Sequence, residues 1–133
     1  MSTISICLID IEAVLPSTQV LAQIPNDPQV KASSLVEQGN QQLEQGKFEE
    51  AIHSFQEALN IYREIKDQSY EAITLQNLAD AYSISGKNLI AIDYYEQSLY
   101  LAKKVENISL EREALFRLAE SYELIAHILH LEI

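Results

Sequence analysis

The stretch Leu75-Gln76-Asn77-Leu78-Ala79-Asp80-Ala81-Tyr82 returns further along the chain as Leu115-Phe116-Arg117-Leu118-Ala119-Glu120-Ser121-Tyr122. A fixed period constrains the fold more than any single residue. Each copy is one supersecondary unit that cannot bury its apolar face alone, so copies must stack. The offset from Leu75 to Leu115 recurs elsewhere: it separates Gly46-Lys47 from Gly86-Lys87, and Lys66-Asp67-Gln68 from Glu106-Asn107-Ile108.

Within each copy the apolar residues keep helical spacing. Phe48, Ala51, Ile52, Phe55, Ala58, Leu59 and Tyr62 fall at steps of three and four, one stripe of an amphipathic helix, and no comparable stretch alternates with period two. Gly46 and Gly86 stand where one stripe ends and the next begins, a place for a residue free to take positive φ. Asp27 and Pro28 read as an N-cap followed by the first helical position, where a missing N–H costs nothing. The spacing predicts helices over 28–45, 48–65, 68–85, 88–105 and 108–131. They form two and a half units, 28–66, 67–106 and 107–133, behind a leader of residues 1–27.

These residues resemble the tetratricopeptide repeat, whose pattern sets a large apolar residue, Leu-Gly, Tyr, Ala and Phe at fixed places along a helix–turn–helix. The second unit supplies Leu75, Leu78, Ala79, Tyr82, Ala91 and Tyr95; the first supplies Leu35, Gly39, Ala51 and Phe55; the third supplies Leu115, Leu118, Ala119 and Tyr122. Gln38 and Gln42 stand in the first unit where Leu and Tyr are expected. The resemblance implies an all-α fold, antiparallel helix–turn–helix repeats stacked as a short right-handed α-solenoid. It implies scaffold roles for Gly39, Ala51, Phe55, Ala79, Tyr82, Ala91, Tyr95, Ala119 and Tyr122, the small residues setting a close helix crossing and the rings filling the space around it. The period is longer than the usual repeat of about 34 residues. Since the spacing from Leu35 to Ala51 equals that from Leu75 to Ala91 and matches the ordinary pattern, the excess lies between Ala51 and Leu75. The pattern is similar to the long-helix repeats of bacterial multi-repeat scaffold proteins and kinesin light chains.

The same resemblance implies recognition of a partner segment along a concave wall built from the first helix of each unit. The wall positions carried across are Val36, Asn40, Leu43 and Glu44; Ile73, Gln76, Asp80 and Ser83; and Glu113, Phe116, Glu120 and Glu123. Several of them read equally as solvated helix faces. The family's Lys/Asn/Arg clamp for a C-terminal carboxylate is not reproduced, Asn40 being its one matching residue. Acidic wall residues favour a basic or neutral segment.

Charge and composition narrow the partners. Nine Lys and Arg against 20 Asp and Glu give a net charge of −11, which repels phosphate backbones, so no nucleic acid is expected. His127 and His130 are three apart without a third ligand at a convincing spacing, and no nucleophile triad, phosphate loop or carboxylate pair stands in a recognisable motif. The chain is therefore read as a non-enzymatic module with no metal and no cofactor.

The leader holds Pro16 and Pro25, Pro28 follows directly after it, and no Lys or Arg occurs before Lys31. Its apolar run from Ile4 to Leu15 is too short to span a bilayer, which takes about 20 residues, and Asp10 and Glu12 interrupt it. It reads either as an unstructured or loosely docked cytoplasmic leader or as a complete or degenerate export signal cleaved near Ala22, where Val20-Leu21-Ala22 puts a small residue at −1 and a compatible one at −3 but no positive n-region precedes it. Cys7, the sole cysteine, cannot form an internal disulfide.

At the other end Ala126 takes the place of Gly46 and Gly86, so the last helix is expected to continue. Tyr122, Ile125 and Leu129 extend its apolar stripe, and Leu124, Ile128, Leu131 and Ile133 widen it beyond what a terminal repeat should show to water. That leaves a piece of a longer array, or a face covered by a partner, by the leader or by a second copy; the alternative role is an assembly element that homo-oligomerises through residues 115–133 or docks on another repeat array through its apolar last helix.

Overall fold

The computed structural model describes residues 26–132, so Cys7, the leader's apolar run and the candidate cleavage position at Ala22 lie outside the described residues. Among the described residues five helices follow one another: α1 (Pro28–Glu44), α2 (Phe48–Glu64), α3 (Gln68–Ile84), α4 (Asn88–Lys104) and α5 (Ile108–Glu132). No strand occurs among the described residues. The first four helices are 17 residues each, and α5 runs for 25. Each helix packs on its neighbours in the chain, and the first helices of successive units also touch, α1 with α3 and α3 with α5.

Short connections make this antiparallel stack, and all four are built alike. After α1 the Gly46 N–H donates to Leu43 O and the Lys47 N–H to Gln42 O, a Schellman closure that satisfies the last carbonyls of the helix. The same pair of bonds recurs at Lys66 and Asp67, at Gly86 and Lys87, and at Glu106 and Asn107. Closure requires positive φ at the second residue past the helix, and Gly46 and Gly86 adopt it at 74° and 84°. Lys66 and Glu106 adopt it too, at 58° and 57°, although side chains disfavour that region. These two turns have a compensation that the glycine turns lack. Asp67 accepts from Tyr70 N at 3.2 Å and Asn107 from Leu110 N at 3.1 Å, capping the next helix, whereas Lys47 and Lys87 make no side-chain cap. At the start of α1, Asp27 is the N-cap, accepting from Gln29 N at 2.8 Å, with Pro28 in the first turn.

The crossing inside each unit is tight where small residues stand. A Cβ added to Gly39 would lie 2.5 Å from the Phe55 ring, so the ring of α2 rests directly on the α1 backbone. In the second unit Ala79, Ala91 and Tyr95 share one buried cluster with Leu118. Ala51, Phe55, Leu75 and Leu78 lie in another cluster, which extends to Leu101. One crossing is filled in two ways in successive units. In the first unit Ser54 Oγ donates to Gln42 Oε1 at 2.7 Å; in the second, Tyr94 and Tyr82 stack with centroids 5.4 Å apart. Gln42 thus has a partner of matching chemistry, and among the described residues its replacement of the expected Tyr leaves no buried polar side-chain atom unsatisfied.

The third unit departs from the sequence expectation. The repeat pattern assigns Ala119 and Tyr122 scaffold roles, yet both are exposed, and so is Leu115. Their counterparts Leu75, Ala79 and Tyr82 are covered, fully or in part, by the second helix of their unit. Here α5 passes straight through Ala126 without a turn, and among the described residues no such helix closes on them.

A candidate recognition groove

The wall runs across α1, α3 and α5, and its positions differ in what they offer. On α1, Asn40 and Glu44 are exposed while Val36 and Leu43 pack partly against the core. On α3, Ile73 is exposed, Asp80 and Ser83 are partly buried, and Gln76 is only 8% exposed. The expectation for Gln76 is therefore corrected: its side chain is covered and offers the groove almost no surface. On α5, Glu113, Phe116, Glu120 and Glu123 are all exposed. The accessible part of the wall is its two flanks, with Ile73 the exposed wall position on the central helix.

Asp80 is held in place by neighbours on two helices. The Tyr95 hydroxyl of α4 donates to Asp80 Oδ1, and Arg117 Nε of α5 stands 3.8 Å from the same oxygen. Burial raises the Asp80 carboxyl above its ordinary value, against the lowering effects of the Tyr95 hydrogen bond and Arg117. Burial also pushes the Tyr95 phenol well above the ordinary range, and the Asp80 carboxylate adds to this. Ser83 is turned to its own helix end, with Oγ 3.5 Å from Asn88 Oδ1.

Arg117 is the wall residue that sequence reasoning missed. It also pairs with Glu113 Oε1 at 3.2 Å and Glu120 Oε2 at 3.4 Å, one turn away on either side. Its signal is present in the sequence, since Glu113 and Glu120 stand at the i−4 and i+3 positions that meet on a helix surface. The guanidinium is engaged by three carboxylates, so the field along α5 stays acidic. Beyond it, Glu120, Glu123, Leu124, His127 and His130 line an open hollow of about 690 Å³. Among the described residues no group of three or more His, Cys, Asp or Glu could hold a metal ion, and no helix is long and apolar enough to cross a membrane.

Known proteins share this arrangement of helices. The family model described as tetratricopeptide repeat matches residues 31–104. Among solved structures, the crystal structure of the TPR domain of Arabidopsis FLU is similar at a TM-score of 0.71 and 24% identity, over 75% of this chain and 84% of that one. The N-terminal domain of stress-induced protein-1 (STI-1) from C. elegans is similar at a TM-score of 0.57 and 18% identity, over 71% of this chain and 72% of that one. At these identities the likeness concerns the fold alone. No curated protein matches the chain.

Proposed function

The chain belongs to the tetratricopeptide-repeat family, and from that premise we propose that it is a non-enzymatic interaction module holding an extended basic or neutral segment of a partner protein along α1, α3 and α5. Members of this family are generally protein–protein interaction modules, and here the surface must supply the specificity. The observation that carries the reading is the uneven balance of the wall. Glu44, Glu113, Glu120 and Glu123 are exposed, and its one cation, Arg117, is already engaged by acids. A Lys- or Arg-bearing segment meets a complementary field there, and Phe116, 57% exposed, offers an apolar contact between the acids. A wall of two and a half units is short, so a single segment gains modest affinity.

The test is fluorescence anisotropy with three labelled peptide pools of equal length, basic, neutral and acidic, at two salt concentrations. The basic pool should bind best and weaken with salt, and the double variant Glu120→Lys, Glu123→Lys should lose it. Tighter binding of the acidic pool would end the proposal.

A further inference from the structure

The second unit displays what the free face of a first helix takes in. Tyr82 of α3 is held from behind by α2, its hydroxyl accepting from Gln56 Nε2 at 3.4 Å, and in front its ring stacks on Tyr94 of α4. Tyr122, one period on, keeps the first contact: its hydroxyl donates to Glu96 Oε1 of α4 at 2.9 Å, and Glu96 is one period on from Gln56. Among the described residues nothing makes the second contact, and Tyr122 is 50% exposed. Leu115, Ala119, Tyr122, Ala126 and Leu129 continue along α5 at steps of four, three, four and three, alternating large with small, the spacing of a helix-pairing seam.

The occupant can be read from α4, because α5 carries the pattern of that helix as well. Among the α4 residues set against α3 are Ala91, Tyr94, Ser98 and Leu101: Ala91 clusters with Ala79, Tyr94 stacks on Tyr82, Ser98 Oγ donates to Ala72 O at 2.8 Å, and Leu101 clusters with Leu75. At the same spacing α5 has Ala119, Tyr122, Ala126 and Leu129. One helix therefore holds both sides of the interface, which is the condition for an isologous contact. We propose that α5 pairs antiparallel with α5 of a second copy about a two-fold axis at Tyr122. The two Tyr122 rings then stack as Tyr82 and Tyr94 do, and Leu115 meets Leu129 of the second copy as Leu75 meets Leu101. Glu120 and Glu123 depart from the pattern at the places of Ile92 and Tyr95; both are exposed, lie on the groove side of α5 and keep their carboxylates in water.

A second observation points to the same end of the molecule. Beside the first turn of α2 is a polar notch lined by Gly46, Lys47, Phe48, Glu49, Glu50 and Ser85. Its counterpart beside α4 replaces Glu49 and Glu50 with Leu89 and Ile90, and Ile125, Ile128 and Leu129 enlarge it into an apolar hollow of about 470 Å³. Leu89 is 75% exposed and Leu129 55%. Equivalent places thus change from charged to apolar at the end where an antiparallel α5 lays its N-terminal half, including Leu115. The seam lies apart from the groove positions Phe116 and Glu120, so this pairing does not depend on the groove reading.

Sedimentation equilibrium of the full chain over a wide concentration range, with Ala126→Glu and Leu129→Glu, tests it. The expected result is a concentration-dependent dimer that both variants abolish while keeping parental helicity by circular dichroism. Tyr122→Cys in a Cys7→Ser background should cross-link into a disulfide dimer on oxidation, whereas His127→Cys in that background should not; this arm stands even where a Glu variant misfolds. A monomer at every concentration, a dimer that survives both variants, or a monomer that dimerises only after residues 1–25 are removed would overturn the proposal, the last by making the leader the occupant.

Discussion

At the scale of single residues, the positions that carry the fold are those where two copies of the repeat meet one geometric demand with different chemistry. Gln42 with Ser54 and Tyr82 with Tyr94 both satisfy the same crossing, one by a hydrogen bond and one by stacking. In the sequence Gln42 reads as a departure, because the comparison is with a pattern and not with its cross-helix partner, which spacing alone does not identify. Asp80 likewise belongs more to the interior than to the groove. Its folded-state carboxyl titrates above its ordinary 3.8, so its charge costs stability above the folded value, and that cost disappears as pH falls below the unfolded value. Asp80→Asn keeps an acceptor for the Tyr95 hydroxyl without the charge. It should melt above the parent at pH 7, with the margin closing as pH falls through the acid range; thermal melts at a series of pH values check this. A margin that widens toward low pH would mean that the ionised carboxylate is favoured in the fold.

At the scale of elements, helix boundaries were legible to within a residue or so because Gly46, Gly86 and the capped breaks at Asp67 and Asn107 punctuate the stripes. What was not legible is that all four breaks share one backbone conformation. Lys66 and Glu106 carry no residue-type signal for positive φ, since the Schellman closure, and not their own preference, puts them there. That predicts an asymmetry. Lys66→Gly removes a strain of roughly 1–2 kcal/mol but adds roughly 0.5–1 kcal/mol of freedom to the unfolded chain, for a net gain of about 0.5 kcal/mol. Asp67→Ala removes the cap and costs about 1 kcal/mol. Urea unfolding of the two variants measures both; a Lys66→Gly protein weaker than the parent would refute the strain argument. The exposed residues Ala119 and Tyr122 are the converse case. Their place in the repeat pattern was plain in the sequence, but whether a second helix closes on them depends on the turn, and α5 has none at Ala126.

At the scale of the whole molecule, among the described residues no helix touches another more than two places away in the order. Each helix is therefore held only by its immediate surroundings, and the molecule's cohesion is distributed along a line with no central core. Local opening should then cost most in the middle and least at the tips. Native-state hydrogen exchange should find the slowest amides in α3, which has neighbours on both sides, and faster ones in α1 and in α5 beyond Ser121; uniform protection from α1 to α5 would show that the ends are coupled.

The run of four like turns has one more consequence, which concerns inheritance. Because the connection after each of the first four helices closes by the same pair of backbone bonds, the chain can be cut and rejoined at equivalent turns without altering the angle at which the next helix arrives. Duplicating residues 47–86, one full period from turn to turn, adds a pair of helices whose joint already exists in the parent. Arrays of this kind lengthen or shorten by whole units, and the surfaces at their tips are what each change in length must renegotiate.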